Sequence, residues 1–110
     1  MGYLFGWKPA NIREEVLEER FRKIGVGVRD LDKRFYSKGY VEGFTGLIRR
    51  YDTLIDIALN SIDSVMAESR NSSYSQRRKR IIAKVSREFD RMIFNPGFLR
   101  QLTSPYSNSL

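Results

Sequence analysis

The chain has 110 residues, 41% hydrophobic and 13% aromatic, and its 20 Lys/Arg against 13 Asp/Glu leave a net charge of +7. That length suits one domain built on one core. Neither Cys nor His occurs, which removes disulfides, thiolate and imidazole metal sites, the commonest general base and the usual pH switch.

No aliphatic run is longer than that of Ile57-Ala58-Leu59, far short of the roughly 20 apolar residues that span a bilayer. No long apolar stretch follows Met1, so no secretory signal is expected. Gly6 stands where a myristoylation pattern has Ser or Thr. The expected location is intracellular: cytoplasmic, or associated with a nucleoid or particle.

The charge is unevenly placed. Residues 1–69 hold 11 Lys/Arg and 11 Asp/Glu and are neutral, whereas residues 70–110 hold 9 and 2 and carry the whole +7. Such a split points to a fold-building part and a surface that meets an anionic partner.

Residues 1–10 form an aromatic lead-in with Tyr3, Phe5 and Trp7. These rings suit packing over the end of a bundle, a membrane interface or base stacking. Asn11 followed by Glu14 predicts a capped helix over about 12–23, with Ile12, Val16, Leu17, Phe21 and Ile24 as its apolar side. Glu18–Arg22 and Glu19–Lys23 are spaced as i, i+4 pairs. Glu14, Glu15, Glu18 and Glu19 read as a solvated carboxylate face, since a carboxylate metal site would want matching ligands on a second helix. Gly25 and Gly27 end the helix. A short helix over about 28–37 stops at Lys38-Gly39.

From Tyr40 to Glu68 apolar residues recur at three- and four-residue steps, which predicts one long amphipathic helix. Gly43 and Gly46 weaken its start by roughly 1 kcal/mol each relative to Ala. Asp52, Asp56 and Asp63 share one edge of it, within about 40° of arc. They are a candidate assembly face, complementary to basic residues in the same chain or in another protomer. Residues 69–75 form a polar loop. Its Asn71-Ser72-Ser73 matches a glycosylation acceptor but reads here as loop chemistry.

Ser73 or Ser75 caps a last long helix over about 76–94, ended by Asn95-Pro96-Gly97. Residues 98–102 add one more turn, and 103–110 are a Ser-rich tail expected to stay mobile. In the last helix Ile81, Ile82, Val85, Phe89, Met92 and Ile93 fall within about 120° of arc. Arg77, Arg80, Lys84, Arg87 and Arg91 fall within about 80°, roughly opposite, with Arg78 and Lys79 beside them. Five phosphates neutralised together would give a salt slope of about −4.5 on duplex DNA.

The stretch from Ile24 to Val41 resembles the helix-turn-helix of TetR-family transcription regulators at Gly25, Val26, Leu31, Phe35, Ser37, Lys38 and Val41. The ending Asn95 to Leu102 is similar to the Asn/His-Pro turn after a regulatory-domain helix of that family. The resemblance implies a helix over 28–36 lying in the major groove, with Lys38 near a phosphate. The chain departs from the pattern in having one helix before the turn, Phe21 for a small residue, Arg29-Asp30 for Gly-Thr, and Asp32 for an aromatic.

No segment shows strand alternation. The expectation is therefore an all-α single domain over residues 11–102: a small bundle of three to four helices, with a long central helix packed against the basic one. Nucleophile triads, Walker loops and G-x-G-x-x-G are missing, so no catalytic residue, metal, cofactor or small-molecule substrate is expected. Sequence-independent nucleic-acid binding through Arg77, Arg78, Lys79, Arg80, Lys84, Arg87 and Arg91 is the first functional expectation. A structural assembly protein or homo-oligomer using Asp52, Asp56 and Asp63 is the alternative, and peripheral binding to anionic membranes through Phe5, Trp7 and the cations is a second.

Overall fold

The structure, a computed structural model, describes residues 8–95 and 97. The lead-in as far as Trp7, the turn expected over 98–102 and the Ser-rich tail lie outside the described residues. The elements in chain order are α1 (Ile12–Lys23), α2 (Val28–Ser37), α3 (Gly43–Arg50), α4 (Thr53–Glu68) and α5 (Tyr74–Ile93). The described residues are all-helical, but with five helices in place of the expected three to four.

Local chemistry sets most boundaries. The Asn11 side chain accepts from the Glu14 N–H at 2.9 Å, and the Glu14 carboxylate reaches back to the N–H of Ala10 at 3.2 Å. The first bond satisfies a donor that the first turn of α1 leaves open, and the second ties the residue before the cap to that turn. After α1 the chain reverses at Gly25, whose φ of +73° is left-handed, a conformation that side chains with a Cβ disfavour.

The single helix expected over 40–68 is two helices. At its start Gly43 has φ +67°, so the helix cannot extend backwards through it. Asp32 of α2 supplies the missing cap from a distance: its Oδ1 accepts from the N–H groups of Phe44 at 2.8 Å and Thr45 at 3.2 Å. At the other end Tyr51 leaves helical geometry at φ −125°, ψ 88°, and a new turn begins with the Leu54 N–H on the Tyr51 carbonyl at 2.9 Å. The apolar phase runs straight through this break. Phe44, Leu47 and Ile48 before it and Leu54, Ile55, Ala58, Ile62 and Val65 after it all face one core. A periodicity that survives a break cannot reveal it.

The most extensive helix pairing is α4 with α5, followed by α2 with α3 and α1 with α4, and α2 also meets α5. At the centre Phe44 stacks on Phe89 with ring centroids 5.5 Å apart. Phe35 meets Phe89 edge-on at 5.4 Å, and Phe21 and Phe35 each meet Phe44 edge-on at 5.8 Å. Aromatic pairs of this geometry add about 0.5–1.5 kcal/mol each beyond their buried area.

The orientation of α1 corrects two expectations. Leu17 and Phe21 are buried, but Ile12 is 75% and Val16 45% exposed. Glu14 and Glu18, expected on a solvated face, are instead 1% and 7% exposed. The reason for Glu14 is Arg49 of α3, whose Nε donates to its carboxylate at 3.2 Å. Burial of a carboxylate is tolerable when a cation and hydrogen bonds meet it. Glu18 lies 3.8 Å from Arg22, and Glu19 pairs with Arg22 rather than with Lys23.

Candidate nucleic-acid interface

α5 opens with a capping box: the Ser73 hydroxyl accepts from the Gln76 N–H at 3.2 Å, and the Gln76 carboxamide accepts from the Ser73 N–H at 3.4 Å. The helix is then fixed by its inner face. Ile81, Val85, Ser86 and Phe89 are buried, which sets the rotation of every other side chain around the axis.

The cations divide into two sets. Arg80, Arg87 and Arg91 are exposed, and Arg77 and Lys84 are half-buried at the margin. Arg77 donates to the Ser72 carbonyl at 3.0 Å and Arg80 to the Ser69 hydroxyl at 2.5 Å. Lys84 borders two recesses between α4 and α5. One, of about 210 Å³, includes Glu68, Arg80 and Arg87. The other, of about 390 Å³, includes Asn60, Ser64, Glu88 and Arg91. Arg78 and Lys79 turn the other way, towards Gly25 and Asp30. The Arg78 guanidinium lies over the Tyr74 ring, 5.4 Å from its centroid.

Ion pairs are scarcer on α5 than on α1 and α3. Arg13, Arg20, Arg22, Lys38, Arg49 and Arg50 each meet a carboxylate. Of the seven cations on α5, only Arg91 does so among the described residues, with Glu88 at 3.3 Å. Arg77, Arg78, Lys79, Arg80, Lys84 and Arg87 have no carboxylate within ion-pair distance there.

Asp52, Asp56 and Asp63 stand on one edge of α4 and its approach, as their spacing predicts. They pair with α1 and not with α5: Arg13 lies 3.6 Å from Asp52 and 2.9 Å from Asp56, and Arg20 lies 2.8 Å from Asp63. These contacts are half-exposed, a setting where ion pairs contribute about 0–1 kcal/mol. They join α1 to α4 within one chain.

Lys38, which the helix-turn-helix resemblance implies lies near a phosphate, reaches across to α5. It donates to the Ser86 hydroxyl at 2.7 Å and pairs with Asp90. The Tyr40 hydroxyl donates to the other Asp90 oxygen at 2.5 Å. Burial, and then this bond to a carboxylate, hold the Tyr40 phenol well above its ordinary pKa. Nothing in the sequence around Lys38 signals this cluster, because Asp90 lies 52 residues away. The same holds for Asn60 and Ser64, whose place beside Lys84 depends on how α4 and α5 pair.

Among the described residues no group of acidic, Cys or His side chains could hold a metal ion, and no helix is long and apolar enough to cross a membrane. Neither protein-family models, nor curated proteins, nor solved structures give a match to this chain.

Proposed function

We propose that this protein binds nucleic acid without sequence preference, holding phosphates along the outer face of α5. The observation that carries this reading is the unneutralised row itself. Half of the twelve described cations outside α5 meet a carboxylate of the same chain, yet among the described residues Arg80, Lys84 and Arg87 have none. Their carrier is a helix held in the core by Ile81, Val85 and Phe89, so the charges are presented in fixed register. Arg suits this role because its planar fork matches phosphate oxygens.

Arg80, Lys84 and Arg87 form the centre of the interface. Arg91 joins by leaving an exposed pair with Glu88, a small cost, and Arg77 joins from its contact with Ser72. Engagement of three to five cations predicts a slope of log affinity against log salt between about −2.7 and −4.5 on duplex DNA. The test is a salt-titrated binding assay with duplex DNA and RNA, comparing the native chain with a variant carrying Arg80→Gln, Lys84→Gln and Arg87→Gln. The variant should lose the greater part of the slope. A native chain that shows no binding at low salt ends the proposal.

A further inference from the structure

The cations form only one wall of the groove between α4 and α5. The facing wall belongs to α4, where Asn60 and Ser64 stand one turn apart on the recess that Lys84 and Arg91 border. Neither side chain has a hydrogen-bond partner among the described residues. Their neighbour Ser61 differs: it is buried, and its hydroxyl donates to the Ile57 carbonyl at 2.8 Å. Asn60 and Ser64 therefore hold free amide and hydroxyl groups opposite a cationic wall. Glu88 also lines the recess and is engaged by Arg91.

We infer that this groove seats the sugar–phosphate backbone of one nucleic-acid strand, with Asn60 and Ser64 as uncharged contacts opposite Lys84 and Arg91. The inference rests on the nucleic-acid reading of α5 and adds to it a second wall. Both residue types hydrogen-bond phosphate oxygens and sugar hydroxyls in nucleic-acid interfaces, where such contacts fix position rather than sequence. A carboxamide and a hydroxyl each donate and accept, as a ribose 2′-hydroxyl does, whereas Lys and Arg only donate.

The experiment measures binding of the native chain, of an Asn60→Ala, Ser64→Ala double variant and of Asn60→Asp to matched single-stranded and duplex RNA and DNA across salt. Loss of two neutral hydrogen bonds weakens binding about tenfold, and the salt slope stays unchanged because no counterion release is lost. Asn60→Asp keeps the size of the side chain and places a negative charge beside the strand, so it should weaken binding further. Helical content and melting temperature confirm that each variant is folded. Equal loss on RNA and DNA assigns the contact to phosphate oxygens, and loss confined to RNA assigns it to the 2′-hydroxyl; either supports the groove. Native-like binding by all variants overturns the groove while leaving the cationic stripe standing. No binding by the native chain removes both.

Discussion

Replacing Asp32 by Ala tests whether α3 depends on a cap supplied by another helix. α3 has only eight residues, and the residue preceding it, Glu42, makes no side-chain cap bond. One oxygen of Asp32 accepts both open N–H groups at its start, those of Phe44 and Thr45. Loss of an N-cap acceptor costs typically about 1 kcal/mol, with a range near 0.5–2. A charged acceptor holding two partly buried donors belongs at the upper end of that range, so the expected loss is about 2 kcal/mol. For a domain near 100 residues that lowers the melting temperature by roughly 8–16 °C. Asp32→Asn keeps an acceptor oxygen and should cost less than about 1 kcal/mol. Urea denaturation followed by circular dichroism measures both variants, and hydrogen exchange at the Phe44 and Thr45 amides reports the site itself. If Asp32→Ala is within about 0.5 kcal/mol of native, or if those two amides keep their protection, water replaces the carboxylate and the reasoning is wrong.

Phe44→Ala removes the ring that meets Phe21, Phe35 and Phe89 and should destabilise by about 3–5 kcal/mol in chemical denaturation. Asp63→Ala breaks an exposed pair with Arg20 and should change stability by less than about 1 kcal/mol. Tyr40 gives a pH signature. Its pKa in the fold is raised by burial and by Asp90, so its contribution is fully present below the ordinary phenol value of about 10. Above that pH the unfolded chain loses the proton first, and stability falls as pH rises. Tyr40→Phe should flatten this alkaline loss relative to native. Equal alkaline slopes in the two would refute it.

What could be read from the sequence divides by range. The limits of α1, α2 and α5 follow from Asn11, from Gly25 and Gly39, and from Ser73 with Gln76, signals that act within a few residues. The division of α3 from α4 does not, because both helices present apolar residues in the same phase. The decisive group, Asp32, acts 12 residues before Phe44. The burial of Glu14 depends on Arg49, 35 residues away. At the candidate interface the amphipathic projection placed Arg80, Lys84, Arg87 and Arg91 together on the side away from the buried face. Arg78, expected beside them, points in nearly the same direction as Val85 and lies towards α2. Asn60 and Ser64 carry no local signal, because only the pairing of α4 with α5 brings them beside Lys84.

The cations of α5 oppose the stability of the helix that carries them, and this gives a test with two readouts of opposite sign. Arg77, Arg80, Lys84, Arg87 and Arg91 follow one another at three- and four-residue steps, so each neighbouring pair repels by about 0.2–0.5 kcal/mol. Arg77 also stands near the positive end of the helix dipole, where cations are unfavourable. Arg87 is exposed and has no ion pair among the described residues, so Arg87→Gln removes its repulsion with Lys84 and Arg91 at little cost in packing. The variant should be more stable than native by about 0.5 kcal/mol at low salt, and the gain should vanish in about 1 M salt, where the Debye length is near 3 Å. Its salt slope for duplex DNA should fall by about 0.9. A residue kept for the fold would show the reverse pattern, with stability lost and binding unchanged. Opposite signs in the two assays mean that the fold tolerates Arg87 for the sake of something outside it.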